Sequence, residues 1–144
     1  MRRPRRRVLT SPSMSSLRVL VVDDSGPVRV LLAQALQHHG FVVYQAETGT
    51  AALRVAFDLR PSLAIVDQWM PGMTGAELIR LLRAAPIPEL RAMPIIGLSG
   101  RAGSERDLLG AGAGSFLSKP FGESELLVAV RAALGLGVPA SGAA

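Results

Sequence analysis

The sequence predicts an α/β fold: a doubly wound, five-stranded parallel sheet with helices on both faces. Three observations support this. Five short apolar runs alternate along the chain with segments of helical periodicity. Such alternation is typical of a parallel sheet covered on both sides, and right-handed crossovers leave only the doubly wound topologies. Polar residues follow the apolar runs, as expected where strands end, and 144 residues suit one domain.

The order of elements follows from caps and breakers. The apolar run at residues 17–22 stops at a cluster of turn residues, and Pro27 then suits the first turn of a helix. Gly40 ends that helix, Thr48 can cap the next one, and Pro61 closes it. The predicted strands are residues 17–22, 41–44, 63–66, 94–98 and 115–118; the predicted helices are residues 27–39, 48–59, 74–84, 104–110 and 122–134.

Two connecting segments differ in composition from the rest. Residues 86–94 are rich in proline and predict a connection between the third helix and the fourth strand. Residues 100–114 hold five glycines, each of which costs on the order of 1 kcal/mol in a helix interior. The fourth helix is therefore expected to be short.

The net charge of +5 comes from the start of the chain. Residues 1–7 hold five arginines and no acid, and the rest has 11 basic and 11 acidic residues. Residues 1–16 are therefore predicted to be a disordered basic leader, or to precede a true start at Met14. Residues 17–134 form the predicted domain, and residues 135–144 a disordered tail. Without a secretory signal, a membrane-length apolar run or any cysteine, the sequence favours a cytoplasmic location.

Five polar residues follow four of the predicted strands. Asp23 and Asp24 follow the first strand, Asp67 the third, Ser99 the fourth and Lys119 the fifth. Asp and Ser are common turn residues, so each alone would indicate only a turn. The carboxyl ends of parallel strands meet at one edge of the sheet, where ligands of such folds bind. The set of five therefore indicates a functional site.

The residue types indicate a metal-assisted phosphoryl site. Three carboxylates at one edge repel one another unless a positive charge offsets them. A hard cation such as Mg²⁺ binds one or two carboxylates together with a carbonyl and waters, and then a phosphate. Lys119, the only lysine of the chain, would add positive charge, and the Ser99 hydroxyl could donate to a phosphoryl oxygen.

These motifs resemble the receiver domain of two-component response regulators. The matching segments are VVDDSGPVR at 21–29, IVDQWMPGMTG at 65–75, the strand ending at Ser99, and FLSKPF at 116–121. The resemblance covers about residues 17–134. It implies a flavodoxin-like and CheY-like sheet with strand order 2-1-3-4-5.

The resemblance also implies a role for each site residue. Asp67 would be the phosphoacceptor and a metal ligand, Asp24 would bind Mg²⁺ directly, and Asp23 would bind it directly or through water. Lys119 would contact Asp67 and then the phosphoryl group, to which Ser99 would donate a hydrogen bond. Three further residues have implied roles: the Trp69 backbone carbonyl as a metal ligand, Phe116 as a switch aromatic and Pro120 in a cis peptide bond.

The implied function is that of a stand-alone receiver without a DNA-binding or membrane domain, and not an enzyme in the ordinary sense. Its expected partners are a sensor histidine kinase or histidine phosphotransfer protein, and a downstream protein target. The last helix is apolar enough to allow a homodimer through the face formed by the fourth helix, fifth strand and fifth helix.

Two other functions remain open at this point. A Mg²⁺-dependent phosphohydrolase on a similar fold would usually carry a second acid two residues after its nucleophile, where this chain has Trp69. A binding module that works without phosphorylation would not need the intact set of five polar residues. The Trp69 indole itself, with Arg101, is expected to cover the phosphoryl group and slow the loss of the group to water.

Overall fold

The computed structural model describes residues 17–137, which form one parallel sheet surrounded by helices. The five strands lie in the order β2-β1-β3-β4-β5. This confirms the predicted doubly wound fold and its strand order. The predicted leader and residues 138–144 of the predicted tail lie outside the described residues. The strands are β1 (Arg18–Val22), β2 (Val42–Ala46), β3 (Leu63–Asp67), β4 (Ile95–Ser99) and β5 (Ser115–Ser118).

Residues 17–137 contain six helices, of which five connect the strands and the last follows β5. They are α1 (Gly26–His38), α2 (Gly49–Leu59), α3 (Gly75–Arg83), α4 (Pro88–Arg91), α5 (Ser104–Ala111) and α6 (Glu123–Ala133). The predicted fourth and fifth helices are therefore α5 and α6. The single-turn helix α4 lies inside the proline-rich connection and was not predicted. Pro88 occupies the start of this helix, where a missing N–H costs nothing, so the prolines did not exclude a helix there.

Burial explains why the strands form. Every residue of β3 and β4 is buried, and β1 is buried apart from its first residue, whereas the edge strands β2 and β5 are partly exposed. Alternate residues along each strand pack into two separate clusters, as the two faces of a sheet require. One cluster joins the sheet to α1 and α6. The other joins it to α2, α3, α4 and α5.

Local capping bonds fix where most of the long helices begin. The hydroxyls of Ser25, Thr48 and Thr74 each accept a backbone N–H from the first turn of α1, α2 and α3. The Thr74 N–H in turn donates to the Glu77 carboxylate, which completes a capping box. Helix α5 differs, because Gly103 precedes it and offers no side-chain cap.

Helix α5 packs closely against Gly97 of β4. A Cβ atom added to Gly97 in β4 would lie 2.9 Å from the side chain of Leu108. The glycine therefore lets α5 approach the strand that ends at Ser99. Within residues 17–137, none of the helices combines the length and apolar character needed to cross a membrane.

Candidate functional site

The sheet brings the predicted site residues to one edge. Asp67 and Ser99 are the last residues of β3 and β4, while Asp23 and Lys119 come directly after β1 and β5. The register pairs Val22 with Val66, Asp67 with Leu98, and Ser99 with Ser118, so the neighbouring strands end nearly level. The carboxyl ends of β1, β3, β4 and β5 therefore form a shared rim.

Three carboxylates form a cluster on this rim. Oxygen atoms of Asp23, Asp24 and Asp67 all lie within 4.8 Å of one another. Asp23 and Asp67 are buried, whereas Asp24 is exposed. The cluster is therefore accessible to solvent on the side of Asp24.

Lys119 joins the two buried carboxylates. Its Nζ lies 2.9 Å from Asp23 Oδ2 and 3.0 Å from Asp67 Oδ1. Burial disfavours the charged ammonium, but the hydrogen bonds and charges of the two aspartates outweigh this and raise the pKa of Lys119 above its usual value. Lys119 therefore stays protonated between the two acids. Contact with Asp67 was expected from the resemblance, but the equally short contact with Asp23 was not.

The surroundings of Asp67 disfavour its charged form. Burial of its carboxyl raises its pKa; Lys119 opposes that effect, while the negative charge of Asp23 adds to it, and the net pKa is raised. Three acids face a single lysine, so the cluster carries an excess of negative charge. Clustered carboxylate oxygens with one open side are the ligand set that Mg²⁺ prefers, so the residues present fit this cation.

Backbone bonds orient the two buried carboxylates. The Ser25 N–H donates to Asp23 Oδ1 at 2.9 Å, and the Trp69 N–H donates to Asp67 Oδ2 at 3.2 Å. Arg29 reaches back from α1 and donates to the Asp23 carbonyl at 2.7 Å. The carboxylates therefore have little freedom to rotate away from Lys119.

Ser99 and Phe116 lie on the β4–β5 side of the rim. Ser99 is buried, its Oγ accepts the Arg101 N–H at 3.2 Å, and its carbonyl accepts the Lys119 N–H at 3.1 Å. Phe116 is partly buried and lines a cavity of about 240 Å³ together with Ser99, Arg101 and Lys119. The switch role of Phe116 stays a prediction. The Lys119–Pro120 peptide bond is cis, as the resemblance implied.

Trp69 makes a contact that the sequence did not suggest. Its indole Nε1–H donates to the Ser104 hydroxyl at 3.0 Å, and the Arg101 guanidinium carbon lies 4.8 Å from the centre of the ring. The indole thus bridges the loops that follow β3 and β4. The role of the Trp69 carbonyl in metal binding stays a prediction.

Sequence reasoning missed Gln68 and Gly75. The Gln68 side chain is buried and accepts the Ala76 N–H at 2.8 Å, so it ties the start of α3 to the residue after Asp67. A Cβ atom on Gly75 would lie 2.3 Å from the Asp67 carbonyl oxygen, a separation that only glycine permits. The glycine after a cap threonine was a visible signal for close approach, but nothing in the sequence marked Gln68.

Comparisons with known proteins agree with this geometry. The family model of the response regulator receiver domain matches residues 19–131. The chain is 36% identical over 119 residues to the DNA-binding response regulator MtrA of Mycolicibacterium paratuberculosis, which covers 81% of the chain and 51% of the relative. It is 40% identical over 118 residues to the KDP operon transcriptional regulatory protein KdpE of Escherichia coli, which covers 81% and 50%.

A solved structure shows the same architecture over nearly its full length. The chemotaxis response regulator CheY4 of Vibrio cholerae superposes with a TM-score of 0.76 at 32% identity, covering 82% of this chain and 98% of that one. The chain thus spans about half the length of the curated relatives it matches and nearly all of CheY4. The match, the fold and the rim of polar residues agree: this chain belongs to the response regulator receiver domain family of two-component signalling systems.

Proposed function

We propose that Asp67 accepts a phosphoryl group from a phosphohistidine of a partner histidine kinase or histidine phosphotransfer protein. The observation that carries the proposal is the bridge from Lys119 to two buried carboxylates, with a third acid within 4.8 Å. Family membership supports the same role, because receiver domains are signalling phosphoacceptors. The proposal includes a cytoplasmic location, because the partner kinase would use ATP there.

The transfer is a nucleophilic displacement at phosphorus. A carboxylate oxygen of Asp67 forms the new P–O bond while the P–N bond to the imidazole breaks, and the electron pair stays with the imidazole nitrogen. Charge develops on the equatorial phosphoryl oxygens, so positioned cations and donors provide most of the acceleration. Lys119 would follow the developing charge from Asp67 to a phosphoryl oxygen, and Ser99 would donate its hydroxyl proton to another.

Mg²⁺ is the cofactor of this proposal. Asp24, Asp23 and Asp67 would hold it, with the Trp69 backbone carbonyl as a further ligand. When bound, the ion supplies positive charge that neutralises the carboxylates and the phosphoryl oxygens. The exposed position of Asp24 leaves the open side of the cluster accessible to the ion and its waters.

The reaction would change protein contacts. We propose that Phe116 responds to the state of Asp67 and that the output surface is the face formed by α5, β5 and α6. Leu109 of α5 and Val128 of α6 are exposed, with 40% and 54% of their surface accessible. Exposed apolar residues there would suit a downstream protein or a second copy of the chain.

The alternative of a phosphohydrolase has less support. The position two residues after Asp67 is Trp69, which cannot act as a general acid. The same Trp69 hydrogen-bonds to Ser104, so its side chain is already engaged. A phosphorylation-independent binding module would leave unexplained why two acids are buried against a single lysine, an arrangement that is costly to maintain.

Intact-mass spectrometry tests the proposal. The protein is incubated with Mg²⁺ and acetyl phosphate, and one phosphoryl adduct is expected on the wild type. Asp67→Ala is expected to give none, while Asp58→Ala, which removes an exposed acid of α2 far from the rim, serves as the matched control and keeps the adduct. An undiminished adduct on Asp67→Ala, or none on the wild type, would reject the proposal.

A further inference from the structure

An apolar surface depression, here called the groove, separates α1 from α6 and from the segment that follows β5. It holds a cavity of about 530 Å³, a volume typical of binding sites in proteins. Leu31 on its wall is 67% exposed, the largest fraction of any large apolar side chain in residues 17–137. The apolar side chains that line the cavity include Val28, Leu31, Ala35, Pro120, Phe121 and Leu126. The groove therefore offers an accessible apolar surface to an occupant.

Negative charge surrounds the end of the groove that faces the rim. Lys119 lines the cavity and also contacts Asp23 and Asp67, so the cavity adjoins the acidic cluster directly. Asp24 is the exposed acid of that cluster. A further acid, Glu123, lines the cavity itself. An occupant that combines an apolar part with several cations would therefore match both the groove and its acidic end.

The start of the same chain, which lies outside the described residues, has this composition. Residues 2–7 contain five arginines, and Val8 and Leu9 follow them directly. Residues 10–16 carry no charge and lead to the first described residue, Leu17. The leader therefore presents cations, an apolar pair and an uncharged connection in that order.

The length of the leader suits the distance to the groove. The Leu17 carbonyl accepts the Val42 N–H at 3.1 Å, so the leader joins the sheet at its amino edge, where α1 ends. Helix α1 has 13 residues and is therefore about 20 Å long. The nine residues from Val8 to Ser16 can span about 30 Å when extended. Val8 and Leu9 can therefore reach the cavity, and the arginines before them can reach the rim.

We propose that the leader docks in the groove of its own chain, with Val8 and Leu9 against the apolar wall and its arginines beside Asp24, where they compete with Mg²⁺. The competition rests on the proposed function, which assigns Mg²⁺ to the acidic cluster, whereas the docking does not. Guanidinium groups near the cluster offset the excess of negative charge on its three acids. Mg²⁺ must displace them, so its apparent affinity falls with the fraction of molecules in which the leader is docked.

Paramagnetic NMR tests the docking. The sequence has no cysteine, so Ser11→Cys provides a single attachment point for a nitroxide label in the full chain. The label is expected to broaden the amide signals of Leu31, Ala35 and Leu126 and to leave those of α3 sharp. Leu31→Arg, which adds a cation to the groove wall, should abolish the broadening. Leu81→Arg is the matched control, because Leu81 is 48% exposed on α3, and it should keep the broadening. Broadening spread evenly over all faces, or unchanged by Leu31→Arg, would overturn the docking.

Calorimetric titration with Mg²⁺ tests the competition. A full chain with R2Q, R3Q, R5Q, R6Q and R7Q should bind Mg²⁺ about threefold more tightly than the wild type at low salt, the factor expected when the leader is docked about two thirds of the time. In 1 M salt, where the Debye length falls to about 3 Å, the two affinities should converge.

The same five changes in a Leu31→Arg background separate docking from long-range charge. Because the leader cannot dock there, the changes should alter the Mg²⁺ affinity little. An undiminished effect in that background, or equal affinities of the wild type and the five-glutamine chain at low salt, would overturn the competition. Neither measurement involves phosphoryl transfer, so failure of the docking and failure of the phosphoacceptor role are distinguishable.

Discussion

Two partly buried cations at opposite edges of the sheet have contrasting surroundings. Lys119, at the carboxyl edge, contacts the charged side chains of Asp23 and Asp67. Arg83, at the end of α3 and near the amino ends of β4 and β5, donates only to neutral carbonyls. Its Nε and Nη2 bond to Gly112, and its Nη1 bonds to Arg91 and Met93.

The pKa values of Arg83 and Lys119 shift in opposite directions, because only Lys119 has carboxylate partners. Burial lowers the pKa of Arg83, and no carboxylate offsets that effect. The pKa of Lys119 is raised, because its two aspartates outweigh the effect of burial. Arg83 thus joins α3, α4 and the loop before β5 in a fixed arrangement. The contacts of Lys119 depend on the charge of its partners, and phosphoryl transfer would change that charge. The amino edge of the sheet therefore maintains the fold, whereas the carboxyl edge is suited to chemistry.

The largest expected effect comes from removing the Arg83 guanidinium. Arg83→Ala should lower the free energy of unfolding by about 2–4 kcal/mol, because three carbonyls lose a charge-assisted partner. Urea unfolding measures this effect. The adduct formed per folded molecule should stay at the wild-type level, because Arg83 lies far from the rim. Arg83→Lys, which keeps the charge without the planar fork, should fall between the two. A stable Arg83→Ala that forms no adduct would contradict the division between the edges.

Glycine substitutions on either side of the end of α5 should act in opposite directions. Gly112 has φ +123°, and a Cβ there would lie 2.9 Å from the Arg83 side chain. Gly112→Ala should therefore cost about 1–3 kcal/mol. Gly110→Ala, within α5 and with open space around the new methyl group, should stabilise by about 0.5–1 kcal/mol. Thermal unfolding of the pair checks this, and equal shifts would show that Gly112 does not support the Arg83 contacts.

Substituting Lys119 should change the rate of phosphorylation more than the stability of the fold. Lys119→Arg keeps the charge, but its wider fork does not fit between two carboxylates that a compact ammonium bridges. The rate of adduct formation should fall about tenfold, which corresponds to about 1.4 kcal/mol in the barrier. Intact-mass spectrometry of samples quenched at successive times measures the rate. Thermal unfolding followed by circular dichroism checks the fold and should be close to that of the wild type. A rate equal to that of the wild type would show that any cation suffices.

The smallest effect concerns the stability of the metal-free fold. Because burial raises the pKa of Asp67, the folded protein favours the neutral carboxyl and loses stability as the pH rises through that pKa. Asp67→Asn avoids this loss. With a chelator present, the variant should melt a few degrees higher than the wild type at neutral pH, and the difference should shrink in acid. A difference that stays constant with pH would exclude Asp67 as its source.

Local sequence patterns predicted most of the fold and the residues of the rim. Thr48 caps its helix as predicted, and Asp67 and Ser99 end their strands. These features depend on neighbours in the chain, so the pattern itself carries them. Strand β2 begins one residue later than predicted, because Phe41 instead donates its N–H to the carbonyl of Leu36 at the end of α1.

What the sequence could not provide were contacts between distant residues. Lys119 and Asp23 are separated by 96 positions, and Trp69 and Ser104 by 35. Residue type indicates that each side chain needs a partner but not which partner the packing brings near. The expectation that Trp69 and Arg101 cover the site stays a prediction, to which the structure adds the bond from the Trp69 indole N–H to the Ser104 hydroxyl.

The site of phosphorylation can be identified chemically. Borohydride reduction converts an acyl-phosphorylated aspartate to homoserine, so peptide sequencing by mass spectrometry identifies which acid was modified. Homoserine is expected at Asp67 alone, because Lys119 and the Trp69 N–H fix that carboxylate at the end of β3. Homoserine at Asp23 or Asp24, or an acid-stable adduct on Ser99, would contradict it.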